Sequence, residues 1–462
     1  MRKKLIKSIS TVVIAVLAIW VWSRWDTWFH NPEELSWIPP QSPTHILLTF
    51  GDSTENSRNI SWQCDTFVQS AHVELIKFNT NEEGREDSSI IKVNAKGETF
   101  SSRKGIAAYY AARLRKLNYD THYKYRVVTG NKSSDWYFFY IPAKKDKVTF
   151  LYVGDVQDTI QGKADIYLHE ALQQHKNCEF LVCGGDLTEH PANQYWNETF
   201  RDIDSIAQQI PLLNVTGNHD YLKGLPMKLE RRFSLVFSYF LDSQIDENQV
   251  YTLHNGPVQF FLLDSNREFP GLYTQRKWLE QQLQESKAKW KILVLHHPLY
   301  SIKGNNNLIQ RWMFNDLVKK YHVDLVLQGH EHAYARMTKH LDDDHSTPTT
   351  PVYTVSHCSP KNYRIQFDER FDKFGISSRY YQVIEVRQDT LVMAAYEVYH
   401  HTLYDSLRIV KQPNNKSPKI EDYGRNIPEY MEYTPEPGNK KDGEYAKRIA
   451  DYKNRHPERI GK

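Results

Sequence analysis

Five short segments along the middle of the chain carry residue types that hold metal ions: Gly154-Asp155, Gly185-Asp186, Gly217-Asn218-His219-Asp220, His296-His297 and Gly329-His330-Glu331-His332. Cleaving a phosphoester needs a strong nucleophile near neutral pH and neutralisation of charge on the phosphoryl oxygens. Two cations about 3.5 to 4 Å apart can do both, by lowering the pKa of a shared water and clamping the attacking and leaving oxygens. Such a pair needs a bridging ligand, and a carboxylate has the two oxygens for it; Asp186 is the candidate. Asp155 and His332 would complete much of the first metal site, and Asn218, His296 and His330 would hold the second. Imidazole and carboxylate together suit iron, zinc or manganese, whereas a calcium site would be built from oxygen alone. His219, beside Asn218, would face the substrate, either steadying the transferred phosphoryl group or protonating the departing oxygen, with Asp220 orienting its ring. Each segment alone is a common turn or surface motif; the weight lies in the joint pattern.

The elements that must position these groups are readable. Each segment follows an apolar, β-branched run (150–153, 180–182, 212–215, 292–295 and 323–327), so each ligand stands where a buried strand ends and a loop begins. Open α/β sheets place their ligand sites at that end of the strands. His330 and His332 would point to opposite sides of a straight strand, so they can share a site only in a sharply turning loop, which Gly329 is suited to permit. From Lys147 onward strands alternate with helices, as in the spacing of Ala164, Leu168, Ala171 and Leu172, and this half closes with strands near 381–386, 390–398 and 407–410. The segment before Pro142 alternates apolar and polar residues in short runs and reads as an all-β sandwich of fibronectin type III size. The division expected is 1–38 as signal anchor and linker, 39–142 as the sandwich, 143–412 as the α/β unit, and 413–462 as a polar, Pro-bearing tail, extended or disordered.

Composition narrows the class less. Fifty-nine Lys and Arg against 56 Asp and Glu leave no bulk charge that argues for a nucleic-acid partner. Arg2, Lys3, Lys4 and Lys7 precede an apolar run from Val12 to Trp22, the arrangement of an export signal. No small-residue cleavage site follows and the run ends in aromatic residues, so an uncleaved anchor is expected, with the remainder outside the cytoplasm, periplasmic or at the cell surface. The four cysteines (Cys64, Cys178, Cys183, Cys358) form no disulfide framework for a chain of this size. No Gly-rich loop of the nucleotide-cradling type and no internal repeat is present.

The chain resembles the calcineurin-like metallophosphoesterases, and within them the purple acid phosphatase-like branch, over about residues 40–410. The resemblance rests on Gly329-His330-Glu331-His332-Ala333-Tyr334-Ala335-Arg336, on Gln275-Arg276-Lys277-Trp278-Leu279-Glu280, and on Leu295-His296-His297-Pro298-Leu299-Tyr300-Ser301. In the front segment it rests on Ile60-Ser61-Trp62, Ala112-Arg113-Leu114, 121–126 and 136–139. It implies an αββα two-sheet sandwich behind a fibronectin-like domain. Its ligand roles fall on Asp155 and His332, on Asp186 as bridge, and on Asn218, His296 and His330; His219 and His297 match its substrate-contacting histidines. Its H-x-P spacing selects His296 over His297 as the ligand, and Arg336 and Glu331 read as ion pair or loop anchor. Two departures stand out. The family's tyrosinate position is Glu189 here, and the superfamily's Asp-x-His is Asp155-Val156-Gln157, so the first metal's last ligand is open between Gln157, Glu189, water or another group. Losing a hard anionic oxygen ligand favours manganese, zinc or mixed iron over a ferric, coloured site.

The function expected is therefore hydrolysis of small phosphate esters by attack of a metal-activated hydroxide. The alternatives are a phosphodiesterase or nucleotide pyrophosphatase, and a non-catalytic surface binding protein built on a decayed hydrolase. Loops at 188–200 and 266–273 would decide among substrates, with Tyr195, Trp196 and Tyr221 able to stack on a base or aryl group or simply to pack.

Overall fold

Alternation of buried and half-exposed residues in strands such as Thr121–Thr129 gives way, from Val148, to strands that are buried along their whole length. The first pattern suits sheets with one wet face and the second a sheet covered on both sides. The computed structural model describes residues 15, 18, 19 and 21–460, without 53, 66, 68, 69, 79–88, 145, 242–244, 247, 248, 305, 341–346, 414 and 415. The front segment is a sandwich of two antiparallel sheets. One orders Thr44–Thr49, Arg58–Cys64, Ile106–Leu114 and Lys96–Ser101. The other orders Ile91–Asn94, Ala71–Phe78, Thr121–Thr129 and Lys132–Ser133, with Tyr137–Ile141 also on Thr121–Thr129. Ile60, Trp62, Val73, Tyr125 and Val127 fill the space between them.

The remainder is built on two mixed seven-stranded sheets. The first runs Leu212–Asn214, Phe180–Cys183, Val148–Val153, Tyr380–Val386, Thr390–Glu397, Leu403–Val410 and Lys419–Asp422; the second runs Tyr251–Asn255, Val258–Leu262, Trp290–Val294, Leu325–Gln328, Val352–Val355, Tyr334–Met337 and Lys373–Gly375. Their parallel cores meet face to face, as in the edge-on contact of Phe150 with Phe260 at 5.2 Å. Helices Phe269–Glu285 and Leu308–Lys320 pack outside the second sheet through Leu279, Leu283, Phe314 and Leu317. The expected αββα arrangement behind a β-sandwich is what the chain adopts. Arg336, wholly buried, stitches the sheets together: Nε meets Asp405 Oδ2 at 2.7 Å and an Nη meets Asp422 Oδ1 at 2.9 Å, so it is an ion-pair residue.

One expectation changes. The segment after Pro413 is not an extended or disordered tail. Lys419–Asp422 adds an edge strand to the first sheet, and helix Lys440–Arg455 buries Tyr445, Ile449 and Tyr452 at i, i+4 and i+7 against Phe367 and Phe374. The linker before the sandwich is tied to the rest of the chain: Glu34 and Arg232 form a fully buried pair at 2.9 Å, and Glu34 also accepts from the Asn193 amide. The apolar run ending at Trp22 lies largely outside the described residues, among which no helix is long and apolar enough to cross a membrane.

Candidate metal centre

Strands Val148–Val153 and Phe180–Cys183 end side by side, and both chains turn sharply just beyond. Asp155 (φ 47°) and Asp186 (φ 51°) sit in the left-handed region, as do His330 (φ 72°) and His332 (φ 38°). Left-handed backbone costs a residue with a Cβ about 1–2 kcal/mol, and strain of this kind gathers where a site must be held. Gly329, expected to permit the turn, is not itself left-handed. Its role is space, because a Cβ there would lie 2.3 Å from Asp155 Oδ2.

The six residues expected as ligands converge. Asn218 Oδ1 lies 3.1 Å from His296 Nε2 and 2.8 Å from His330 Nδ1; the two ring nitrogens are 3.2 Å apart, and His296 Nε2 is 3.2 Å from Asp186 Oδ2. His332 Nε2 is 3.3 Å from Asp155 Oδ1, an oxygen that is buried without a hydrogen-bond partner. Asp155, Asp186 and His296 offer ligand atoms all within 4.8 Å of one another. His296 Nδ1 faces the Gly184 carbonyl at 2.9 Å, which assigns the proton to that nitrogen and leaves a lone pair on Nε2. Lone pairs from an amide oxygen, a carboxylate and imidazole nitrogens therefore crowd one point. Ligands around a tetrahedral ion would stand roughly 3.4 Å apart, so both the donor set and its spacing fit a bound cation.

Electrostatics follow the same crowding. Burial alone would raise the Asp186 carboxyl, yet His296, His219 and the hydrogen bonds from them hold it well below the usual carboxylate range. Burial opposes charge on His296 as well, but the neighbouring Asp186 carboxylate outweighs it and pushes the imidazole up to about 9, so a cation bound at Nε2 would take the place of a proton there. His297 goes the other way: burial and the charge of His296 pull it down to about 3, so it is neutral near pH 7. Its Nδ1 and its amide both meet Ser265 Oγ at 3.0 Å.

Around the six stand groups of other kinds. The His219 amide donates to Asp186 Oδ1 at 2.8 Å, and its Nδ1 meets the Glu189 carbonyl at 2.5 Å. The expected partner Asp220 instead turns inward: its Oδ2 accepts from the Gly217 amide, and burial, with Asp186 nearby, raises it well above the usual range. The Glu189 carboxylate pairs with Lys361 Nζ at 2.6 and 2.8 Å, and the Gln157 amide, oriented with nitrogen toward acceptors, donates to Asp186 O and Oδ2 at 3.1 Å. Glu331 is a loop anchor, accepting from Ser301 Oγ at 2.5 Å and the Ile302 amide at 2.6 Å. Of the loop expected at 188–200, residues from 193 onward belong to helix Asn193–Asp202; its Trp196 is buried with its indole on Glu230, and Tyr221 hydrogen-bonds to buried Asp264, so both are packing groups. Ser265, Lys303, Lys361 and Tyr363 were not singled out by sequence reasoning. No strand-end motif marks them, and only the folded chain brings them to the site.

Two family models match the chain. One described as Calcineurin-like phosphoesterase covers residues 148–334, and one described as Purple acid Phosphatase, N-terminal domain, covers 43–140. Among relatives, the Fe(3+)-Zn(2+) purple acid phosphatase 12 of Arabidopsis thaliana is 25% identical over 64% of this chain and 65% of its own length. The phosphoenolpyruvate phosphatase of Allium cepa is 24% identical over 64% of this chain and 63% of its own. The chain thus spans slightly less than two thirds of these curated relatives. Among solved structures, the purple acid phosphatase PPD1 of yellow lupin superposes with a TM-score of 0.66 at 17% identity, covering 82% of this chain and 76% of that one.

Proposed function

We propose that this chain, a calcineurin-like phosphoesterase fold behind a purple acid phosphatase N-terminal domain, hydrolyses small phosphate esters at a two-metal centre. The observation that carries the reading is the convergence of Asn218 Oδ1, His296 Nε2 and His330 Nδ1 with Asp186, next to the Asp155–His332 pair. Asp155 and His332 would hold one ion and Asn218, His296 and His330 the other, with Asp186 as the carboxylate they would share. Bound there, a pair of iron, zinc or manganese ions supplies a nucleophile from water at neutral pH and offsets charge on the phosphoryl oxygens.

The chain's own groups do the rest. The Ser265 hydroxyl can donate to His297 Nδ1, which leaves Nε2–H as a neutral donor for a phosphoryl oxygen. His219 is fixed by the Glu189 carbonyl so that Nδ1 holds a proton, and in its doubly protonated form the ring would give the second proton, on Nε2, to the leaving oxygen and return to the neutral imidazole. Gln157, by donating to Asp186, orients the carboxylate between the two ion positions instead of serving as a ligand. Glu189, neutralised by Lys361, is likewise assigned to His219 and not to an ion. Export and attachment through the basic and apolar N-terminus belong to this proposal, and so does the division near residue 142. Assay of the purified chain with added manganese on an aryl phosphate and an aryl phosphodiester tests the activity. Metal-dependent turnover of the monoester is expected, and none on either substrate would refute it.

A further inference from the structure

We propose that Lys303 and Tyr363 form an anion subsite beside the candidate metal centre, where the Lys303 ammonium takes a non-bridging oxygen of the substrate's phosphoryl group and, after cleavage, of the phosphate product. The inference rests on the reading of the site as a phosphoesterase and adds a residue that no ligand motif contains.

The loop after His297 is held from below by Glu331, whose oxygens take Ser301 Oγ, the Ile302 amide and Asn307 Nδ2. The Lys303 amide donates to Ser301 Oγ at 3.1 Å, and Gly304 turns the chain through a left-handed φ of 99°. The Lys303 side chain lies over Tyr363, with Nζ 4.1 Å from the centroid of the ring. Tyr363 stacks on the imidazole of His332 at 4.3 Å and 20°, and its amide donates to the His332 carbonyl. One ring face cannot hold both neighbours at those distances, so His332 and the ammonium occupy opposite faces of the phenol. The ring is a spacer that fixes a cation at one ring's remove from a candidate ligand, through attraction of the ammonium to the ring face.

That cation lacks a counter-ion. Lys361, the other lysine at the site, has both oxygens of Glu189. Lys303 has no carboxylate within ion-pair distance among the described residues. Glu331 is the acidic group in its field, and that carboxylate is committed to the loop, accepting from Ser301 Oγ, the Ile302 amide and Asn307 Nδ2. A half-buried ammonium without a partner is costly; an anion at the metal centre would supply one. The phenol holds the lysine in place without neutralising it, which is what a group waiting for a dianion requires.

The test uses the full chain loaded with manganese and inorganic phosphate as the probe. Calorimetry of K303M should show phosphate bound about tenfold more weakly or worse, the scale of a charge-assisted hydrogen bond. KM for an aryl phosphate should rise with kcat much less affected, metal content by elemental analysis should be unchanged, and K303R should recover most of the affinity. Separately, with lysines carrying 13C at the ε position, phosphate should move one resonance that is missing in K303R. Phosphate affinity in K303M within twofold of the parent, at equal metal content, overturns the subsite. Should K303M misfold, the resonance decides: a Lys303 signal indifferent to phosphate overturns it as well. A parent chain that binds phosphate through Lys303 yet hydrolyses nothing would sink the phosphoesterase reading and leave the subsite standing.

Discussion

Adding one methyl group at Gly217 should dismantle the metal centre while leaving the fold intact. A Cβ there would stand 2.0 Å from Asp186 Oδ1 and 2.1 Å from the Asp186 backbone nitrogen. Ordinary contact begins near 3.4 Å, so the two segments must part by about 1.4 Å, and a backbone atom cannot rotate out of the way. The displacement falls where it does most harm. Gly217 leads directly into Asn218, and the His219 amide is bonded to Asp186, so the proposed bridge and a ligand of the second ion separate together. Overpacking of this kind destabilises by about 1–3 kcal/mol, and a misplacement near 1 Å can lower a rate about a hundredfold. For G217A, elemental analysis should therefore show metal falling well below the parent's stoichiometry, urea unfolding a loss of about 1–3 kcal/mol, and kcat/KM a drop of about a hundredfold. Gly443, with nothing within 4 Å of a would-be Cβ, is the control. It lies inside helix Lys440–Arg455, so G443A should be neutral or stabilising by up to about 1 kcal/mol. Parental metal content and stability in G217A would show that the strand ends do not approach as described.

Other perturbations probe separate parts. Arg336→Met leaves Asp405 and Asp422 without their buried partner and should cost about 3–5 kcal/mol in urea unfolding; a loss below about 1 kcal/mol would mean the clamp holds nothing. Tyr452→Ala removes a ring packed on Phe367 and Phe374 and should cost about 3–5 kcal/mol, whereas a dispensable tail predicts no change. Burial, opposed by Arg232 and aided by Glu34, pushes the Glu230 carboxyl up to about 7 from its ordinary value of 4.5. Between those values the folded chain holds a proton that the unfolded chain has lost, so this group's contribution to stability falls as pH rises. Glu230→Gln should flatten that decline in unfolding curves taken from pH 4.5 to 7, and an unchanged slope would refute the assignment.

Much of the site was legible because ligand types and strand ends coincide. A buried run followed by Gly-Asp or Gly-His needs no tertiary knowledge to suggest where the side chain emerges, and Asp155, Asp186, Asn218, His296, His330 and His332 are brought together on that basis. What failed was whatever depends on a distant backbone. The partner of His219 is the Glu189 carbonyl, not the adjacent Asp220, because a carbonyl carries no sequence signature. Gly329 is small so that Asp155 can approach, and a close approach looks the same in sequence as a turn. The helix at Lys440–Arg455 was hidden by its composition: three apolar contacts at helical spacing sit among charged residues and a glycine, between prolines, and average composition outweighed periodicity.

The last fifty residues complete both sheets, one by an edge strand and the other by a covering helix. A polypeptide halted at Val410 would contain every group proposed to hold an ion, since the last of these is His332, yet Phe367, Phe371 and Phe374 would be stripped of their cover. Premature stop codons downstream of the ligand-bearing segments should therefore lower the yield of folded protein through aggregation or proteolysis.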